Sequence, residues 1–172
     1  YDIEAISKIS KKHEICLVVD NTFASPFLQT PFDLGAEIVM HSATKYLAGH
    51  SDVILGALVV QDDKLAEKLY FLQNSSGAIC GPMDSFLTLR GIKTLHVRME
   101  RHCYNAEKIV GFLGNHQKID KLYWPGISTH PNHELAKKQM SGFGGMISFT
   151  TKNGDFTSVQ EITSKLKVFT LA

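Results

Sequence analysis

Cysteine is scarce: Cys16, Cys80 and Cys103 are the three in 172 residues, far apart and in no C-x-x-C pair. An odd, scattered set excludes a disulfide framework and reads as reduced thiols, with Cys80 and Cys103 as small packing residues. Charge of one sign is missing too, since 18 Lys and Arg stand against 17 Asp and Glu for a net charge of +1. Neither a nucleic-acid footprint nor an anionic-membrane surface is expected from such a balance. No apolar run approaches the length of a membrane span. No signal peptide is expected where Tyr1 leads directly into polar helical sequence, so a cytoplasmic location is expected. Tyr1 is not an initiator methionine and the chain stops within "VFTLA", so a piece of a longer polypeptide is expected. What is present is an ordinary globular mixture, 44% hydrophobic and 20% charged, long enough to bury a core without staples.

Residues 3–12 place Ile3, Ile6 and Ile9 at helical spacing. "EICLVVD" (14–20) and "AEIVMHS" (36–42) are short apolar runs that predict buried parallel strands, and "VILGALVV" (53–60) predicts a third. A helical turn is expected near "TPFDLG" and a helix in "DDKLAEKLYFLQ", with Leu65, Leu69 and Leu72 on one face and Asp62 or Asp63 as cap. This repetition predicts an α/β unit with a mostly parallel sheet over residues 1–85. From residue 86 the texture changes to a long helical segment with a kink or break at Gly91. Strands in "KIDKLYW", "GGMISFTT" and "KVFTLA" alternate with helices in "HELAKKQM" and "TSVQEITSKLK", as expected of part of a smaller α+β domain over 86–172.

Two adjacent parallel strands end at the same edge of a sheet, where ligands of open α/β folds bind. Asp20 ends the first strand; Ser42, Thr44 and Lys45 follow the second. An anion favours the hydroxyls and the lysine but not Asp20, and a metal favours Asp20 but not Lys45. Pyridoxal phosphate uses all of them: a carboxylate for its protonated ring nitrogen, an amine for its aldehyde, hydroxyls for its phosphate. In extended backbone Ser42 and Thr44 face the same way and Lys45 points elsewhere. Asp20 is then expected to be buried, its charge compensated by the ring.

"VVDNTFASPFLQTPFDLGAEIVMHSATKYLAGHSDVILGALV" resembles the Cys/Met-metabolism family of pyridoxal-phosphate enzymes, and "GPMDSFLTLRGIKTLHVRMERH", "KLYWPG", "HPNHELAKKQM", "GFGGMISF" and "FTLA" continue the resemblance to the end. The resemblance implies the aspartate-aminotransferase-like fold of type I cofactor domains. It implies that Lys45 bonds the cofactor, that Asp20 pairs with its ring nitrogen, that Ser42 and Thr44 hold its phosphate, and that Thr22 lies beside its ring. It implies a homo-oligomer, a dimer of dimers, acting on cystathionine, a homoserine ester or cysteine. It also implies a full length about twice this one, with a ring-stacking tyrosine and a substrate-binding arginine outside these residues, so the isolated segment is expected to bind cofactor poorly.

Within the family, "FLQNSSGAICGP" and "GIKTLHVRMERH" resemble most the cystathionine γ-synthase and γ-lyase branches, acting at the γ carbon. Methionine γ-lyase, cystathionine β-lyase and O-acetylhomoserine sulfhydrylase are the alternatives. Outside enzymes the alternative is an inactive scaffold or oligomerisation piece, and a cofactor-free lysine aldolase is a weaker rival with no use for Asp20. Taken singly, Lys45 is a solvated lysine, Asp20 a turn acid, and Ser42 and Thr44 strand-end caps; only their combination points to chemistry. "HPNHE" (130–134) has the wrong order for a zinc motif and reads as a loop before a helix, and no metal site is expected. His50 and Asp52 are expected to be structural or to support the residues that touch the ligand.

Overall fold

The computed structural model describes residues 1–170. Helix α1 (Ile3–Lys12) begins where the Asp2 side chain accepts from Ala5 N. Its buried face differs from expectation. Ile3, Ser7 and Ser10 are buried, whereas Ile6 and Ile9 are exposed. The reason is close approach: Ser7 Oγ donates to the Gly35 carbonyl at 3.0 Å, which only a small residue on the helix allows. Gly35 closes the 3₁₀ turn Pro31–Leu34, which occupies the stretch expected to form a helical turn.

The first sheet has the order β1 (Val18–Asp20), β2 (Ile38–Ser42), β3 (Gly56–Val60). β1 and β2 are parallel, as expected, with Asp20 opposite Met40. β3 is antiparallel to β2, Gly56 lying opposite Ser42. The expectation of a third parallel strand fails because no crossover helix separates the two; the chain turns over residues 43–55 and comes straight back. β1 is also shorter than expected and lies at the sheet edge, so Val18 is 53% exposed and Asp20 is exposed. Among the described residues the protected strand is β2, where Ile38, Val39 and His41 are buried.

Helix α3 (Asp63–Ser76) is capped by Asp62, which accepts from Leu65 N. None of its residues is buried, and Tyr70, Phe71 and Leu72 face outward. The long helical segment is two helices, α4 (Pro82–Ile92) and α5 (Leu95–Gly114), broken just after Gly91. Between β1 and β2 lies the single turn α2 (Ser25–Leu28). Two cores line α5: Leu28, Leu95 and Met99, with Tyr46, Leu47 and Cys103 against them, and Ala106, Val110 and Trp124 further along. The second core closes on the antiparallel pair β4 (Ile119–Tyr123) and β5 (Ser148–Thr151), with Trp124 Nε1 donating to the Gly144 carbonyl. Helices α6 (His133–Gln139) and α7 (Phe156–Lys165) occupy the expected places. The strand expected in "KVFTLA" does not form over 167–170, and its last two residues lie outside the described residues. Among the described residues no helix is long and apolar enough to cross a membrane.

A surface contact ties α1 to α6. Glu4 on α1 accepts from Lys138 on α6 at 2.8 Å and from Lys8 at 3.0 Å. The Lys138 ammonium first, then Lys8, holds its carboxyl at about 2, against an ordinary 4.5. A carboxyl depressed on folding stabilises the native state fully above its unfolded value, and the benefit fades as pH falls from about 4.5 toward 2. We expect Glu4→Gln to flatten the pH dependence of unfolding in that window, by an amount that added salt shrinks. Chemical denaturation across the window with and without salt measures it.

Candidate active site at the ends of the parallel strands

Directly opposed residues of paired strands point to one face, and alternate residues repeat it. Asp20 lies opposite Met40, so Asp20, Met40 and Ser42 share a face. The ladder continues one step beyond β1, with Asn21 N donating to the Met40 carbonyl at 2.9 Å. Buried Asn21 exchanges hydrogen bonds with Gln29, its amide to the Gln29 carbonyl and its Oδ1 from Gln29 Nε2, which pins the loop leaving the strand. Thr22 N donates to Asp20 Oδ1 at 3.0 Å, an Asx turn that orients the carboxylate. Ser42 N in turn donates to Thr22 Oγ1 at 2.8 Å. Buried Thr22 therefore ties the two strand tips together, a role the sequence reading did not foresee.

β2 ends at Ser42, and residues 43–48 form a turn. The extended backbone expected to carry Thr44 on the Ser42 face is absent. Thr44 Oγ1 instead accepts from Leu55 N at 2.9 Å and lies 3.4 Å from the Leu55 carbonyl, closing the base of the 43–55 loop. The turn itself is built on Lys45: its amide donates to the Ser42 carbonyl and its carbonyl accepts from Gly49 N. Lys45 is exposed, and neither it nor Asp20 forms an ion pair among the described residues. Asp20, expected to be buried, is exposed because β1 is an edge strand with nothing laid over this face among the described residues. His50 Nδ1 lies 2.7 Å from the Ala48 carbonyl.

Three further residues belong to this corner. His41 is buried between the strand tips, and burial pushes its ionisation down while the Asp20 charge opposes that. Its Nδ1 has no hydrogen-bond partner among the described residues. Tyr46 packs edge-on against Phe23 and tilts against His102, and burial pushes its phenol up. Arg98, on α5, donates to the Tyr46 and Leu47 carbonyls. No pattern in the sequence marked Arg98, because it lies more than fifty positions from its partners.

The donor set fits pyridoxal phosphate. A carboxylate and an amine, both solvent-accessible and unpaired among the described residues, belong to one sheet end, with a half-buried hydroxyl between them in sequence. Gly56, opposite Ser42, has open space where a Cβ would stand.

Comparison with known proteins agrees with this chemistry. The pattern of the Cys/Met metabolism PLP-dependent enzymes matches residues 1–172. The chain is 54% identical over 171 residues to a cystathionine β-lyase of Lactococcus lactis subsp. cremoris (strain MG1363), covering 99% of this chain and 44% of the relative. It is 53% identical over 171 residues to a cystathionine γ-lyase of Bacillus subtilis (strain 168), covering 99% of this chain and 45% of that one. It also superposes with a TM-score of 0.96, at 44% identity, on a cystathionine γ-synthase of Xanthomonas oryzae pv. oryzae solved in complex with cystathionine, covering 99% of this chain and 44% of that one. The chain thus spans less than half the length of the relatives it matches.

Proposed function

The chain belongs to the Cys/Met metabolism family of pyridoxal-phosphate-dependent enzymes, and from that membership we propose that the whole protein breaks or forms the C–S bond at the γ carbon of a cystathionine-like amino acid. The observation that carries this reading is the shared sheet end of Asp20, Ser42 and Lys45, with both charged groups left free of ion pairs among the described residues. Residues 1–85 are part of the cofactor-binding domain in this reading, and 86–172 the connecting helices and part of the smaller one.

Pyridoxal phosphate, when bound, supplies an electron sink that stabilises negative charge on the substrate carbon. Asp20 would accept from the protonated ring nitrogen and so keep that sink cationic. The Asx turn to Thr22 N preorients its carboxylate for this. Ser42 donates its hydroxyl proton to phosphate. Thr44 Oγ1 accepts from Leu55 N and donates toward the Leu55 carbonyl at 3.4 Å, so its hydroxyl would have to turn from that carbonyl to donate to phosphate. Lys45 would hold the cofactor through its aldehyde carbon, with loss of water, and its amine, when free, would be the base that takes the Cα proton and returns it to a neighbouring carbon. Thr22 keeps the Asp20 and Ser42 backbones in register beside the ring.

A cytoplasmic homo-oligomer, assembled as a dimer of dimers, completes the proposal. Tyr70, Phe71 and Leu72 of α3 are exposed apolar side chains of the kind that assembly covers. Product analysis tests the reaction. With the full-length protein, cystathionine is expected to yield cysteine, 2-oxobutanoate and ammonia, or an activated homoserine ester plus cysteine to yield cystathionine and the released acid. Homocysteine released from cystathionine places the cleavage at the β carbon and overturns the γ assignment.

A further inference from the structure

The turn that carries Lys45 cannot satisfy its own carbonyls. Those of Ser42, Ala43 and Lys45 accept from Lys45 N, Ala48 N and Gly49 N within the turn. Those of Tyr46 and Leu47 point away, toward the break between α4 and α5. There a single guanidinium meets them: Arg98 Nη1 donates to the Tyr46 carbonyl at 2.7 Å and Nη2 to the Leu47 carbonyl at 3.3 Å. Nη2 also donates to the Gly91 carbonyl at 2.8 Å, and Nε donates to Thr94 Oγ1 at 3.1 Å, so both sides of the helix break are held by the same group. Two glycines make room for this. A Cβ on Gly91 would collide with the Ala48 carbonyl, and a Cβ on Gly49 would collide with the guanidinium.

We propose that Arg98 is a positioning residue for Lys45: it fixes the backbone directly after the lysine, and thereby the point from which the lysine amine reaches the cofactor carbon. The proposal rests on the function argued above. Lys45 has a long flexible side chain and no ion pair among the described residues to steer it. Its reach is therefore set by where its Cα stands and how its backbone is turned. A planar fork that meets several carbonyls at once does this where the point charge of a lysine does not. A displacement of about 1 Å at a reacting group costs roughly 10²-fold in rate. The helix break acquires a purpose in the same way, because Gly91, Thr94 and Arg98 are the groups that meet the turn or its clamp.

The test uses the full-length protein with Arg98→Lys, Arg98→Ala and Gly91→Ala, and Lys93→Ala as an exposed control at the same break. Gly91→Ala keeps the guanidinium and displaces Ala48 from the other side. Amide exchange is read in the cofactor-free protein, and borohydride trapping reads the rate at which pyridoxal phosphate becomes attached to Lys45. We expect the Ala48 and Gly49 amides to exchange about tenfold faster in the Arg98 and Gly91 variants, and not in the control. Attachment should slow by roughly 10²-fold, and kcat should fall more than KM rises. Added guanidinium should restore part of the attachment rate to Arg98→Ala but none to Gly91→Ala. If Arg98→Ala does not fold, Arg98→Lys and Gly91→Ala decide. A wild type that captures cofactor at Lys45, with folded variants that exchange and attach as it does, overturns this proposal alone. A wild type that captures no cofactor there overturns the proposed function and this proposal with it.

Discussion

Lys45→Ala in the full-length protein is expected to abolish the visible absorbance of attached cofactor and to lower turnover on the order of 10⁴-fold, while leaving the fold intact. The two halves of this expectation have separate causes. Lys45 is exposed and has no ion-pair partner among the described residues, so truncating it removes no packing. Surface substitutions of that kind change stability by about 0.5 kcal/mol or less. Its backbone amide and carbonyl, which build the turn through Ser42 and Gly49, are kept in the variant. The chemistry has no such spare part. In the proposed mechanism the amine is at once the anchor of the cofactor and the group that moves the Cα proton, and positioned general bases alone are worth about 10²–10⁴-fold. Absorbance, borohydride trapping and a thermal melt on the same samples decide the matter. A Lys45→Ala protein that retains the wild-type spectrum would remove Lys45 from the mechanism.

Asp20→Asn is expected to lower kcat by about 10²–10³-fold, the scale of removing one preorganised electrostatic partner. The variant is chosen because Asn keeps the acceptor oxygen that Thr22 N uses, so the loop after β1 stays closed. Asp20 is exposed in this chain, so exchanging charge for amide there costs little folding energy, about 1 kcal/mol or less. Asp20→Ala would add the loss of that turn. The contrast separates charge from scaffolding: Asn and Ala should be equally poor catalysts, and only Ala should melt measurably lower. Asn at near wild-type rates would show that no carboxylate is needed opposite the ring nitrogen.

These two residues also show what periodicity and motif spacing convey. Asp20 closes a run of β-branched residues, and Lys45 follows a second such run, so both are legible as strand-end groups from the chain alone. Their sharing one sheet edge required only that β1 and β2 be parallel, which the register bears out. Asp20 is exposed among the described residues and not buried as its sequence context predicts, because apolar composition announces a strand but not its place in the sheet, and β1 is an edge of the described sheet. Thr44 does not share the Ser42 face that extended spacing predicts, because the chain turns at Ala43. The direction of β3 followed from the missing crossover, a feature of length and connection and not of the strand's own residues. On α1 the serines, and not Ile6 and Ile9, face the protein, because a hydrogen bond to Gly35 brings the helix close.

The sequence by itself determined most of the elements, a helix cap at Asp62 or Asp63, the break near Gly91, and the residue types able to hold pyridoxal phosphate, because each rests on local backbone preference or on spacing within a short window. Only the tertiary structure decided that Thr22 bonds to Ser42, that Leu55 occupies Thr44, and that Arg98 carries the turn behind Lys45. Those contacts join residues from 11 to 52 positions apart. A hydrogen bond of that span leaves no periodic trace in the chain, since its partners meet only after the strands and helices between them have packed.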